Sequence, residues 1–105
     1  MDSIAALTRR AVQVHPAALE EAEAATGWYA ERSRRAAERF LNELGRAIEQ
    51  VSEHPEQFPA FVFGTRRMVL SKFPYVIVFR ETAIAVEIVA IAHGRRRPGY
   101  WRKRV

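Results

Sequence analysis

The sequence predicts an α+β fold: a two-layer sandwich in the order β-α-α-β-β-β, with two amphipathic helices packed on one face of a small, mainly antiparallel sheet. Three observations carry this prediction. Residues 17–53 are rich in helix formers with apolar side chains at helical spacing, the apolar period changes to two beyond Pro55 and Pro59, and short polar or proline-containing breaks divide the later runs. Helices with an apolar stripe and a sheet with an apolar face hide both by covering each other.

The first strand is expected over Arg10 to His15, where Val12 and Val14 alternate with polar neighbours until Pro16 stops the run. Pro16 suits the first turn of a helix, where its missing N–H costs nothing. From Ala17 to about Ser33, Leu19, Ala22, Thr26 and Tyr29 share a face, and Trp28 and Tyr29 are expected mostly in core packing. The second helix carries Ala37, Phe40, Leu41, Leu44, Ala47, Ile48 and Val51 as a buried stripe, with Arg39 and Glu43 placed to pair on its solvated side. The segment "EHPEQFP" ends it, because proline cannot continue a helix and pushes the preceding residue toward extended backbone.

Three strand-like runs follow, "RRMVLSKF", "YVIVFR" and "AIAVEIVAIAH", rich in Val, Ile and Phe. Their short connections favour an antiparallel meander. Strict alternation in the last run puts Ile84, Val86, Ile88, Ala90 and Ala92 on one apolar face, with Glu87 and His93 on the other.

At 105 residues with 49% apolar content, the chain has the size of a single domain, 1–105, closed by a basic tail over 93–105. Lys and Arg total 17 against 12 Asp and Glu, so the formal charge of +5 attracts acidic partners. Because 15 of the 17 are arginine, codon bias accounts for the total, yet it does not account for their clustering near the end. With no cysteine, disulfides and thiolate metal sites are excluded, and a reducing cytoplasm is the expected location. The start "MDSIAALTRR" lacks the apolar core of a signal peptide, and no run approaches membrane-spanning length.

His15, His54 and His93 have no ligand-like spacing to carboxylates, so no metal is expected. Glycines are scattered and form no phosphate loop. No cofactor is implied. One constellation remains: Arg66 and Arg67 begin one strand, His93 ends another, and Arg95, Arg96, Arg97 and Tyr100 lie just beyond. On an uncovered sheet face these groups would suffice for metal-free RNA cleavage, the arginines stabilising phosphate charge and His93 and Tyr100 exchanging protons. The plainer reading is solvated strand ends. Tyr100 and Trp101 beside Arg102, Lys103 and Arg104 suit a contact surface, or else a tail folded back through Pro98 and Gly99 so that the aromatics cap the sheet. Residues 98–105 add few periodic apolar positions, so their removal is expected to cost little core burial unless the indole of Trp101 folds back.

The stretches "VHPAALEEAEAATGWYAERSRRAAERFLNEL", "HPEQFP", "RRMVLSKFPYVIVFR" and "AHGRRRPGYW" together resemble the RelE/ParE superfamily of toxins from bacterial type II toxin–antitoxin systems, in its ParE-like, plasmid-stabilisation branch. The resemblance runs from Val12 to Arg104. It implies the same α+β fold and a small basic toxin neutralised by a cognate acidic antitoxin. For the ParE-like branch it implies poisoning of DNA gyrase without catalytic residues, with Arg95, Arg96, Arg97, Tyr100, Trp101 and Arg102 as target-binding positions. The alternative within the superfamily is a RelE-like endoribonuclease acting on mRNA in the ribosome, with His93, Tyr100, Arg66 and Arg67 as catalytic positions. Only Lys72 stands where RelE-like members carry a lysine-rich central patch, which is a departure from that pattern. A basic interaction module without toxicity is the third reading.

Overall fold

A computed structural model describes residues 11–105; Arg10 and the rest of the N-terminal segment read above lie outside the described residues. The elements are β1 (Ala11–Val14), α1 (Pro16–Arg32), α2 (Arg34–Glu53), β2 (Arg66–Val69), β3 (Tyr75–Glu81) and β4 (Ala85–His93). The order is the one expected. In the sheet the strands lie β1-β4-β3-β2, with β1 parallel to β4 and the other two pairings antiparallel.

Local chemistry explains the helix boundaries. The imidazole of His15 accepts from the Ala17 N–H at 3.1 Å and so caps α1, with Pro16 in the first turn. Ser33 does two tasks: its N–H closes α1 on the Tyr29 carbonyl, and its hydroxyl caps α2 by accepting from Ala36 N–H at 3.1 Å. The two helices consequently follow each other with one extended residue between them.

The sheet separates two apolar clusters. On the helix side, Ala18, Ala25, Phe40, Leu44, Ala47 and Val51 meet Ile77, Phe79, Val86, Ile88 and Ile91. On the other side, Val78, Val89 and Ala90 meet Trp101, flanked by Phe61, Val76 and Tyr100. Of the two arrangements open to the tail, the structure has the folded-back one: the returning C-terminal segment closes that second face.

A bulge in β4 corrects the expected alternation. Val78 pairs with Ala90 and Phe79 with Ile88, so Val89 is an extra residue without a partner on β3. An inserted residue advances the pleat by one. Val86 and Ile88 therefore face the helices, but Ala90 turns to the Trp101 side and Ile91 returns to the helices. His93 moves with Ile91: it sits beside Tyr75, ring centroids 5.2 Å apart, and does not share a face with Glu87. Ile84 lies before the strand and is exposed.

Three further expectations are corrected. Leu19 and Leu41 are half exposed, because Ala18 and Ala25 of α1 occupy the closest approach and leave their larger neighbours on the flank. Trp28 is likewise exposed, its ring under the Arg32 guanidinium at 3.6 Å. Glu43 does not pair with Arg39; its carboxylate accepts from the Ser71 N–H, the Ser71 hydroxyl and the Lys72 N–H, tying α2 to the turn between β2 and β3.

Gly99 has φ of +87°, and a Cβ there would lie 2.7 Å from Cε2 of Phe63. Both facts oppose a side chain. Gly99→Ala is expected to destabilise the protein by about 1–3 kcal/mol, read as a lower midpoint in urea unfolding with an unchanged slope.

Candidate functional site

The basic tail is a folded structure rooted in α1. Past β4, Gly94 N–H bonds to the Pro74 carbonyl at 2.7 Å, and Gly99 turns the chain so that Trp101 enters the sheet, 1% exposed. A short 3-10 turn over Arg102–Arg104 follows. Glu21, on α1, holds this return in place. Its Oε1 accepts from Ile91 N–H at 3.0 Å and Arg104 Nη1 at 2.9 Å, while Oε2 accepts from the Tyr100 hydroxyl at 2.6 Å and Arg104 Nη2 at 3.0 Å. Arg104 Nη1 also donates to the Val89 carbonyl at 3.1 Å, so the guanidinium satisfies the backbone at the bulge.

The electrostatics follow from that contact set. Burial alone would raise the Glu21 carboxyl, but the hydrogen bonds from Arg104, Tyr100 and Ile91 prevail and hold it below its ordinary range. The Tyr100 phenol is pushed up, first by burial and then by the carboxylate that takes its hydrogen bond. Tyr100 is therefore a committed donor.

The candidate residues divide into three groups. Arg66 and Arg67 point to opposite faces, as neighbours in a strand must. Arg66 donates to the Phe58 carbonyl at 2.6 Å and pairs with Glu81 at 3.7 Å, whereas Arg67 lies 4.8 Å over the Phe61 ring on the Trp101 side. Arg66 is thus separated from the other catalytic candidates, whereas Arg67 lines a small cleft together with His93, Arg96 and Tyr100. His93, Arg96 and Tyr100 do come together: they line an open cavity of about 470 Å³ with Glu21, Trp28 and Tyr75. His93 Nδ1 accepts from Arg95 N–H at 3.1 Å, which leaves the proton of a neutral imidazole on Nε2. Arg96 stacks over Tyr100 at 3.8 Å.

Arg95, Arg97, Arg102 and Lys103 form the third group. All are exposed, and among the described residues none of them forms an ion pair with a carboxylate. Trp101, expected within this contact surface, lies beneath it. Tyr100 is half-buried and serves the lock. Unpaired guanidinium groups on a rigid base keep their full charge for an external partner.

On the helix side lies a second feature. Leu19 and Leu41, 52% and 50% exposed, flank an apolar groove of about 550 Å³ floored by Ala22, Leu44, Ile48 and Ile91. The seven-residue spacing of Leu41 and Ile48 was a signal that the stripe of α2 is wider than the sheet can cover. Glu21 offered no such signal, since its partners Tyr100 and Arg104 are 79 and 83 residues away. Among the described residues no cluster of His, Asp or Glu is arranged to hold a metal, and no helix is long and apolar enough to cross a membrane.

Comparison with known proteins agrees with this architecture. The family described as "ParE toxin of type II toxin-antitoxin system, parDE" matches residues 12–98. Among solved structures, the chromosomal ParDE TA system from P. aeruginosa superposes with a TM-score of 0.72 at 17% identity, covering 82% of this chain and 97% of that one. No curated protein sequence matches.

Proposed function

The chain belongs to the ParE toxin family of type II toxin–antitoxin systems, and from that premise we propose that it arrests growth by binding and poisoning DNA gyrase through the arginine surface of its C-terminal segment, until an acidic antitoxin neutralises it. The observation that carries this reading is the state of the cations. Arg95, Arg97, Arg102 and Lys103 are displayed without carboxylate partners among the described residues, on a segment held rigid by Trp101 and Glu21. A preorganised charged surface gains affinity because little conformational freedom is lost on binding.

Purified protein is expected to inhibit supercoiling by gyrase or to trap cleaved DNA. Combined Arg95→Ala, Arg97→Ala and Arg102→Ala replacement should weaken that effect by at least about tenfold, with an unchanged melting temperature. Full inhibition by the triple mutant would remove the surface from the mechanism.

Ribonuclease action is the second reading, favoured by the shared cavity of His93, Arg96 and Tyr100. Against it stands the Tyr100 proton, committed to Glu21. His93→Ala separates the two readings. A general acid or base contributes roughly 10²–10⁴-fold, so transcript cleavage would nearly vanish, while gyrase inhibition should change by less than about threefold.

For the antitoxin, the apolar groove between α1 and α2 suits the apolar face of an amphipathic segment, and the net charge of +5 favours acidic residues around it. Leu41→Glu puts a charge on the groove wall at a position already half exposed. It should leave folding intact and weaken binding of the neighbouring gene's product by at least about 30-fold, measured by calorimetry. Undiminished binding would place the antitoxin elsewhere.

A further inference from the structure

The loop between α2 and β2 is built around an unusual residue. Phe63 has φ 59° and ψ 37°, the left-handed region that a side chain with a bulky ring enters only under constraint, and Gly64 follows with φ of 76°. Glycine or asparagine would adopt this turn without difficulty. The constraint is visible: the Thr65 hydroxyl, on a residue 2% exposed, donates to the Val62 carbonyl at 2.7 Å, and Phe61 N–H donates to the Thr65 carbonyl at 2.8 Å. Ala60 and Arg66 bridge the base of the loop.

This bracing holds a ring that packing uses only in part. Phe63 remains 48% exposed and its neighbour Val62 40% exposed, although Phe63 touches Gly99 and meets Trp101 edge-on at 6.1 Å. One cation covers the ring and two more lie in the cleft beside it. Arg102 lies 4.6 Å over it, and Arg67 and Arg97 line the adjacent cleft against Phe61 and Trp101. The loop therefore places an apolar tip within the arginine surface, on the side of the sheet opposite the apolar groove of α1 and α2.

We propose that Phe63 is the apolar anchor of the target-binding surface, inserted with Val62 into a recess on an acidic protein surface whose carboxylates meet Arg67, Arg97 and Arg102. The proposal rests on the reading that this chain acts by protein contact. An exposed ring beside arginines that have no carboxylate partner among the described residues has the composition of an interface centre, where aromatic and arginine side chains carry most of the affinity. The surrounding charge requires an anionic rim on the partner. Nucleic acid also supplies negative charge, but base stacking needs an open ring face. Arg102 covers one face of Phe63, and the exposed aliphatic Val62 extends the tip as an apolar patch that fits a protein recess.

Phe63→Gly and Phe63→Asn test the proposal, because both residues accept the left-handed backbone and each removes the ring. Thermal melting, together with near-ultraviolet circular dichroism of the tryptophans, establishes that the tail stays packed. With folding intact, both variants should bind purified DNA gyrase at least about 30-fold more weakly, lose growth arrest on induction, and bind the antitoxin as the parent does. Phe63→Leu, which keeps an apolar tip, should stay within about tenfold of the parent. Gyrase inhibition and growth arrest at parental strength in the Gly and Asn variants would overturn the anchor while leaving the gyrase reading in place. If the parent arrests growth without inhibiting gyrase and the ring is still required, the anchor stands and the choice of gyrase fails. A parent that does neither overturns both. Single-stranded oligonucleotide binding is measured in parallel, and a loss there equal to the loss on the protein target would replace the protein recess with a nucleic-acid surface.

Discussion

Trp101→Ala is expected to lower the unfolding free energy by about 3–5 kcal/mol, the usual cost of removing a large aromatic from a packed site. The indole is 1% exposed, and it contacts Val78, Val89 and Ala90 from below while Phe61 and Phe63 close over it at ring separations of 6.0 and 6.1 Å. No smaller side chain fills that volume, and the sheet face beneath would meet water. In a chain of 105 residues the melting temperature should fall by roughly 12 °C or more. A mutant melting within about 3 °C of the parent would show that the sheet face is covered in another way. The same reasoning reverses the expectation for the tail. Deleting 98–105 removes Trp101, both side-chain partners of Glu21 and the cover of a whole sheet face, so the truncated chain should lose cooperative unfolding. Loss of toxicity on truncation would then report unfolding, which is why the arginine and Phe63 replacements are the informative variants.

Glu21→Ala carries the second large effect, about 3–5 kcal/mol, because it strands a charge that the fold has already desolvated. Glu21 and Arg104 side chains are 17% and 18% exposed, and the bidentate pair is reinforced by Tyr100 and by the Ile91 N–H. Removal of the carboxylate leaves Arg104 with the Val89 carbonyl as its hydrogen-bond acceptor and the Tyr100 ring 5.2 Å away, and no opposite charge paired with it among the described residues. Glu21→Gln should cost less, since an amide oxygen still accepts one of these bonds. The pH dependence has a definite sign. The folded-state pKa of Glu21 lies below its ordinary value of 4.5, so its stabilisation is complete above about pH 4.5 and is lost as pH falls through the folded value. Melting temperatures of parent and Glu21→Gln should converge on acidification below about pH 4.5. A gap that stays constant from pH 7 to pH 3 would remove the carboxylate from the lock.

Helix boundaries show how much was local. Pro16 and Ser33 act through groups within a few residues of themselves, so the two helices and their junction could be placed from sequence alone. The three later strands were readable too, because their alternation and the breaks between them are short-range features, although the first of them ends at Val69, short of the run to Phe73. Family resemblance added the toxin identity from "RRMVLSKFPYVIVFR" and "AHGRRRPGYW", motifs that survive as sequence whatever their packing.

The faces were another matter. Period-two alternation assigns a side chain to one face only while the pleat is unbroken, and the unpartnered Val89 reset it inside β4. That one insertion moved His93 to the side of Tyr75 and turned Ala90 toward Trp101. Composition likewise could not decide whether "PGYWRKRV" was a solvated end or a lid, since the same aromatics and cations suit both. The decision belongs to Glu21, which meets Tyr100 and Arg104 only after the chain has folded. Sequence by itself determined the elements, their order and the excess of positive charge, all of which depend on neighbours along the chain. Tertiary structure alone decided which arginines are displayed, which aromatic is buried and where Phe63 stands, because contacts across some eighty residues leave no period or spacing to read.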